Sequence, residues 1–349
     1  MRIRQAERSD NEGLLALTSL SPMKGRISIR IDRQPDFFRL LDMRGPSEVL
    51  VAEDRGSIVG CISAARVTVR VDGDPEPVYY LGDLRTHPEI RGAGLGVRLA
   101  RAMHRRLLAA GADLVVWTAA DGNRDVLPFF DGRGGLPKPL PLGTFVVRQM
   151  IPSHRPLEDS SYEILEEEET AELRCLYDEA YHAHQFGPCF SGVPPAGVQH
   201  WVARSGSEMM AAVSLADVGA AKQNVLIRLP LPLALVFAGV RFLRPVIPLP
   251  DLPRANSPVR LLYVKLLACR RGNLRALGLL IRKCRNIAYD ERYHFLAVGL
   301  HTSDPLSRVI APVPGFSFRS LGFVVALRRG PEALRALCSA VPYEDYSLV

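Results

Sequence analysis

The stretch LRTHPEIRGAGLG, residues 84–96, decides the fold prediction for this chain. It joins a strand-like segment, residues 78–86, to a helix whose apolar side chains recur every four positions, at Leu95, Leu99, Met103 and Leu107. A glycine-rich turn before a helix presents main-chain N–H groups without intrahelical partners at the positive end of the helix dipole. Because Gly94 and Gly96 lack Cβ atoms, a phosphate can approach the main chain closely there. The stretch therefore predicts a strand, turn and helix that bind a pyrophosphate.

Two common phosphate-binding motifs do not match this turn. It lacks the GxxxxGK[ST] pattern, and its glycines at 92, 94 and 96 do not have the GxGxxG spacing. A helix start with small residues kept for packing is the alternative interpretation.

The same order of predicted elements occurs twice along the chain. Residues 51–63 and 202–214 each have the pattern of a β-hairpin, with two apolar strands around a polar turn that contains glycine. Each hairpin is followed by a strand, a basic turn with glycine at residues 91–96 or 271–276, a helix and a further strand. We therefore predict two copies of one α/β unit.

Composition along the chain suggests where the two units meet. Residues 153–161 have the polar and proline-containing composition of a linker. We expect an N-terminal domain over residues 1–152 and a C-terminal domain over residues 162–349. The second copy carries about thirty extra residues, and we place this proline-rich insertion near residues 217–257.

Residues 84–96 resemble the acyl-CoA motif of the GNAT superfamily of N-acyltransferases, whose core signature is [Q/R]-x-x-G-x-[G/A]. Asn123, followed by an aromatic pair that ends at Phe130, is similar to a second motif of that superfamily. The resemblance covers residues 1 to about 150. It implies an α/β (α+β) fold of two GNAT-like domains, each a mixed, mostly antiparallel twisted sheet with flanking helices and splayed central strands.

The resemblance also implies a cosubstrate and a reaction. We expect acetyl-CoA, or another acyl-CoA, to give its acyl group directly to a primary amine of a small molecule or peptide, without a metal. The residues that the resemblance assigns to CoA lie on the strand, in the turn and in the second motif: Leu84, Arg85, Thr86, Arg91, Gly92, Ala93, Gly94, Leu95, Gly96, Asn123 and Phe130. Met23, Phe37 and Phe38 occupy the place of an acceptor-binding loop, where plain core packing is an equally good interpretation.

Two residues on the strand are candidates for the chemistry. A carboxylate near Asp83 commonly binds or deprotonates the amine in the enzymes that this chain resembles, and Tyr80 is the second candidate. Asp83 faces away from Gly82 in a regular strand, so only a β-bulge would turn it to the favoured face. Phe130 stands where the family usually has a tyrosine that protonates the leaving sulfur. Gly82 and Phe130 therefore also fit an alternative, a non-catalytic acyl-CoA sensor.

The second copy departs from the motif. Leu274 and Ala276 replace the middle and last glycines of the turn, so we expect this copy to shape the acceptor pocket rather than to bind CoA. The apolar segment Leu229 to Phe242 is too short to span a bilayer. It fits a buried helix, or an apolar wall for a longer acyl chain or a membrane surface.

Composition and charge limit the other functions. The 349 residues are 47% hydrophobic and 23% charged, which argues against disorder and rod-like folds. The basic residues exceed the acidic residues by 44 to 37 and are scattered, and anionic CoA accounts for such an excess. We expect neither nucleic acid nor a membrane as partner and leave a homodimer open. The six cysteines form no CxxC pair, which favours a reducing, cytoplasmic location.

Overall fold

The computed structural model describes residues 1–20, 28–90, 94–123, 135–157, 159–190, 197–244, 246 and 249–349. The strands of the first half are β1 Arg2–Gln5, β2 Ser28–Asp32, β3 Ser47–Asp54, β4 Ser57–Val71, β5 Asp74–Thr86, β6 Leu114–Ala120 and β7 Leu140–Met150. Its helices are α1 Asn11–Ser19, α2 Arg39–Arg44 and α3 Leu95–Ala109.

The second half has the same kinds of elements. Its strands are β8 Glu163–Glu167, β9 Gly187–Pro188, β10 Val198–Ser205, β11 Glu208–Ala216, β12 Gln223–Arg228, β13 Pro258–Val259, β14 Leu261–Cys269, β15 Phe295–His301 and β16 Gly315–Ala326. Its helices are α4 Ala171–Tyr181, α5 Leu231–Leu243, α6 Leu274–Asp290, α7 Ser307–Ile310 and α8 Pro331–Leu337.

One large sheet runs through both halves in the order β1-β3-β4-β5-β6-β16-β7-β15-β14-β11-β10-β8, with β9 added beside β4. The last strand of each half is paired with a strand of the other half: β16 pairs with β6, and β7 pairs with β15. These two exchanged strands also pair with each other. A smaller sheet, β13-β12-β2, joins the halves a second time. The sheet is mixed and mostly antiparallel, as predicted.

Helix α3 follows directly from its sequence pattern. Its four apolar positions at i, i+4 spacing are all buried, and they pack with side chains of β3, β4 and β6: Leu95, Leu99, Met103 and Leu107. Burying such side chains contributes about 1.5–3 kcal/mol each. The packing fixes α3 against the sheet, so the start of the helix is held next to the end of β5.

Helix α6 occupies the corresponding place in the second half. It buries an apolar face against β10, β11, β14 and β15. In the part of the chain that the structure describes, no helix combines the length and the apolar character needed to cross a membrane.

Candidate active site

Strands β5 and β6 run parallel but remain paired over only three positions, the last of which joins Tyr80 to Val116. Beyond that pair, β5 contains a β-bulge between Gly82 and Arg85, where two of its residues lie opposite one residue of β4. A bulge bends and twists the strand that carries it. The two central strands therefore separate just after Tyr80, and a gap between them begins beside this side chain.

Gly94 marks the N-terminal boundary of α3. Its φ of 73° lies in the left-handed region, which glycine adopts at little energetic cost. Within the described residues no side chain caps this helix end, and a Cβ built on Gly94 would meet nothing within 4 Å. Leu95 is buried in the core. The first N–H groups of α3 are therefore accessible to an external acceptor such as a phosphate.

The corresponding helix start in the second half is capped by the chain itself. The side-chain oxygen of Asn273 accepts a hydrogen bond from the N–H of Ala276 at 3.1 Å, and the Tyr162 hydroxyl contacts the same amide group. Strands β14 and β15 also separate after three pairs, the last of which joins Tyr263 to Ala297. The two halves thus share the separated strands, but only the first leaves its helix start uncapped among the residues described.

Asp83 lies in the bulge of β5 with a φ of 52°. Its Oδ1 is 2.8 Å from Nη2 of Arg33, and its Oδ2 accepts a hydrogen bond of 2.9 Å from the Ser63 hydroxyl. The carboxyl is only 3% exposed. Because Ser63 lies opposite Gly82, the bulge turns the Asp83 side chain to the face that Gly82 occupies. The β-bulge that this carboxylate needs in order to face the Gly82 side is therefore present. Both oxygens of the carboxylate are nevertheless already bound by Arg33 and Ser63.

Tyr80 lies at the last pair before the strands separate. Its hydroxyl is 3.1 Å from the Thr118 hydroxyl, and the guanidinium of Arg44 lies 3.5 Å from the centre of its ring. Burial raises the pKa of Tyr80 to about 12. The phenol is therefore neutral near pH 7 and can donate a hydrogen bond.

Several buried charged side chains interact with these two residues or with one another, and no sequence motif pointed to them. Arg44 pairs with Glu344 at 3.1 Å, and Lys265 pairs with Asp345 at 2.9 Å. Lys222 donates to the main-chain oxygen of Tyr346 at 3.3 Å. Burial raises the pKa of Glu344 to about 7 and lowers that of Lys222 to about 7. These residues come from distant parts of the chain, so only the fold brings them together.

The structure locates most of the other predicted residues. Leu84 lies in the bulge beside Asp83, and Arg85 and Thr86 form the end of β5 beyond it, with Nε of Arg85 3.9 Å from Oδ1 of Asp83. Asn123 follows β6, and its N–H donates to the carbonyl of Ala120. Five predicted residues lie outside the described part of the chain: Met23, Arg91, Gly92, Ala93 and Phe130.

Phe37 and Phe38 are buried in the core between α1, α2 and the sheet. This location favours the packing interpretation of their sequence pattern. The guanidinium of Arg33 nevertheless lies 5.1 Å from the centre of the Phe37 ring. Phe37 thus supports the arginine that binds Asp83.

A cavity of about 280 Å³ lies in the second half. Its polar walls include Lys222, Asn224 and Tyr263, and the Lys222 ammonium lies 4.8 Å from the centre of the Tyr263 ring. The Asn224 amide donates a hydrogen bond of 3.1 Å to the Tyr263 hydroxyl. The cavity therefore places several polar groups close to the buried charges at the junction of the halves.

Comparison with known proteins gives a consistent result. The model of the acetyltransferase (GNAT) family matches residues 18–134. An acetyltransferase of Photorhabdus laumondii, plu1384, is 30% identical over 123 residues, which are 35% of this chain and 78% of that protein.

Solved structures extend the likeness to nearly the whole chain. N-myristoyltransferase of Saccharomyces cerevisiae with bound myristoyl-CoA aligns with a TM-score of 0.59 and 11% identity, over 95% of this chain and 80% of that chain. A second structure of that enzyme, with myristoyl-CoA and inhibitors, gives a TM-score of 0.60 and 12% identity over 93% and 79% of the two chains. At such identities the likeness establishes the fold alone.

Proposed function

The chain belongs to the acetyltransferase (GNAT) family, and from this premise we propose that its first half transfers an acetyl group from acetyl-CoA to a primary amine. Membership makes the protein an acyl-CoA-dependent N-acyltransferase. The acetyl group, the amine acceptor and the location of the reaction in the first half are our proposals.

The difference between the two helix starts carries the proposal. Gly94 leaves the first turn of α3 uncapped among the described residues, beside strands that separate after Tyr80. In the second half the Asn273 amide fills the equivalent position on α6. A pyrophosphate therefore finds accessible N–H groups in the first half, and the pantetheine arm finds separated strands next to them.

The proposed reaction is a direct displacement. The neutral amine nitrogen attacks the thioester carbonyl, a C–N bond forms, and the C–S bond breaks to release CoA as a thiolate. The proton that the nitrogen loses passes to solvent or to the thiolate. Main-chain N–H groups beside the bulge of β5 are the proposed donors to the oxyanion. Because a free thiol has a pKa of about 8.5, the thiolate is a tolerable leaving group. The neutral Tyr80 hydroxyl is the proposed hydrogen-bond donor to the sulfur.

Asp83 remains our candidate carboxylate at the reaction centre. Its contacts with Arg33 and Ser63 support a role in holding the bulge in place. A role as the base requires one of these contacts to break when the amine binds. The variant Asp83→Asn separates the two roles, since loss of a base removes the acidic limb of the pH–rate profile while loss of a positioning group leaves that limb in place.

The acceptor site is proposed at the junction of the two halves. Phe37 supports it indirectly through Arg33, and the cavity beside Lys222 and Tyr263 supplies room and polar groups. Met23 and Phe38 stay candidates for lining the acceptor loop. We also retain the domain limits 1–152 and 162–349, with a linker between them, as a proposal. The strand order supports it, because corresponding strands of the two halves follow each other in opposite order outward from the centre of the large sheet.

A cytoplasmic location is proposed on the state of the cysteines. All six thiols are free, as a reducing compartment predicts. Nucleic acid is not proposed as a partner, and whether the protein forms a homodimer stays open to measurement.

The decisive experiment measures CoA release and acylated product with the full-length protein. Acetyl-, octanoyl- and myristoyl-CoA are each offered with a panel of primary amines and peptides, and products are identified by mass. We expect turnover that is fastest with acetyl-CoA. Faster turnover with a long acyl chain overturns the acetyl assignment. Thermal stabilisation by acyl-CoA without turnover of any amine supports the sensor alternative instead.

A further inference from the structure

Helix α5 presents an apolar surface to solvent. Phe242 and the following Val246 are 82% and 85% exposed, and Leu231 and Leu235 are 73% and 64% exposed. The spacing of Leu231, Leu235 and Phe242 by four and seven residues places these three side chains along one side of α5, and Val246 follows the end of the helix. Exposed apolar patches of this kind usually mark an interaction site.

The opposite side of α5 holds the helix on the protein. Phe237 is buried, and Leu233 and Val240 pack with it against a cluster that includes Leu261 and Tyr263. The expectation of a buried helix is therefore correct for one side only. The exposed side has no charged residue between Leu231 and Val240.

Arginines are concentrated in the chain segment that carries this apolar surface. Residues 228–260 contain five arginines and a single acidic residue, Asp251, which pairs with Arg244. Arg228 ends strand β12, three residues before α5 begins at Leu231, and β12 is hydrogen-bonded through Leu226 to the turn that carries Arg254. Both of these arginines are exposed, and neither forms an ion pair within the described part of the chain. The rim of the apolar surface is thus positively charged.

We infer that the exposed side of α5 docks on the surface of a bilayer that contains anionic lipids. Its apolar side chains enter the boundary between headgroups and acyl chains, and the arginines at its rim contact lipid phosphates. The 13 residues of α5 span about 20 Å, which is less than the roughly 30 Å thickness of a hydrocarbon core. The helix therefore lies along the bilayer surface. This inference is independent of the proposed acyl transfer and departs from the sequence expectation of no membrane partner.

Charge favours the bilayer over a second copy of the chain. A two-fold contact through α5 joins the same patch of both copies. Both rims then carry the exposed Arg228 and Arg254, and Asp251, the one acidic residue of the segment, is already paired to Arg244, so the two patches repel each other. An anionic lipid surface instead supplies the opposite charge.

Vesicle sedimentation with the purified full-length protein tests the inference. We expect binding to vesicles of equal parts phosphatidylcholine and phosphatidylglycerol, and weak binding to phosphatidylcholine alone. The variant L235E/F242E should lower the partition coefficient by about tenfold or more, because it places charge in the apolar surface. The variant R228Q/R254Q should lower binding to anionic vesicles only.

A matched control carries the same charges elsewhere. L108E/L157E changes two partly exposed leucines outside α5, and its binding should equal that of the wild type. A second readout uses tryptophan fluorescence. Brominated lipids should quench the tryptophan of F242W, and they should not quench that of L108W. The inference is overturned if the wild type binds no vesicles, if L235E/F242E binds normally, or if the wild type is a dimer that L235E/F242E converts to monomers.

Discussion

The guanidinium of Arg33 and the carboxylate of Asp83 form an ion pair at 2.8 Å, and both side chains are more than 90% buried. The pair links the segment after β2 to the bulge of β5. The ring of Phe37 supports the arginine, and the Ser63 hydroxyl supports the carboxylate. This pair therefore holds the position at which the two central strands separate.

Arg33→Met should destabilise the protein by about 3–5 kcal/mol, because it removes the close partner of a buried carboxylate and leaves that carboxylate with the more distant Arg85 at 3.9 Å. The double variant R33M/D83N should recover part of this loss, since it removes the second charge as well. Urea unfolding measures both free energies. Arg8→Met serves as the control: Arg8 forms exposed ion pairs, so its loss should cost about 0–1 kcal/mol. Additive effects of R33M and D83N would contradict a coupled pair.

Tyr80→Phe should lower kcat on the order of 100-fold if the hydroxyl donates to the leaving sulfur. The ring stays beneath Arg44, so the free energy of unfolding should fall by only about 1 kcal/mol. Tyr177→Phe is the matched control, since the buried Tyr177 hydroxyl also contacts another hydroxyl, that of Ser214 at 2.6 Å, outside the proposed site. Steady-state rates with saturating acyl-CoA compare the two variants. Equal losses in both would place the chemistry elsewhere.

Gly94→Val should weaken acyl-CoA binding, because a branched side chain then stands where the pyrophosphate is proposed to bind. Gly272→Val is its counterpart: both glycines have positive φ and open space around the position of a Cβ. Each substitution should cost about 1–3 kcal/mol of stability through backbone strain. Only Gly94→Val should remove the thermal stabilisation by acyl-CoA. Loss of that stabilisation in Gly272→Val alone would reverse the assignment of the two halves.

The buried Glu344 should make the free energy of unfolding decrease as the pH rises from about 4.5 to about 7. Burial raises the pKa of Glu344 to about 7 in the native state, so the native protein binds more protons than the unfolded chain in this window. Glu344→Gln removes the titrating group. As the pH rises through this window, the unfolding free energy of the wild type should therefore decrease relative to that of the variant. Urea unfolding at several pH values measures this slope.

Lys222 should have the opposite effect above pH 7. Its native pKa is lowered to about 7 by burial, so between about pH 7 and 10.5 the unfolded chain binds more protons and stability rises with pH. Lys222→Met should abolish this rise while keeping the slope below pH 7. Identical pH dependence in the wild type and both variants would mean that neither group titrates abnormally.

Residues 1–152 should not fold alone, although the sequence marks them as a unit. Without the second half, β6 lacks β16 on one edge and β7 lacks both of its neighbours, β15 and β16, so both strands expose unpaired edges. Coexpression of residues 1–152 and 153–349 should yield a soluble complex, whereas each fragment alone should aggregate. Size-exclusion chromatography distinguishes these results, and a monomeric, cooperatively unfolding 1–152 fragment would disprove the prediction.

Local signals in the sequence predicted local structure well. The four-residue spacing from Leu95 to Leu107 placed α3, and the repeated hairpin pattern placed β3, β4, β10 and β11. The sequence also holds a signal for the cap of α6, because Asn273 directly before an apolar helix is a typical N-cap. The Asn273 cap is a simpler explanation of the difference between the two turns than the absence of glycines from the second turn.

The sequence by itself determined Gly94 at the start of α3, the helix that follows it and the repeated order of elements in the two halves. These features depend on side-chain periodicity and on backbone angles, which act over a few neighbouring residues. The tertiary structure alone decided the pairing of Arg33 with Asp83, the exchange of β7 and β16, and the exposed side of α5. Each of these requires segments far apart in the chain to meet, and their meeting depends on packing of the whole chain rather than on any local pattern.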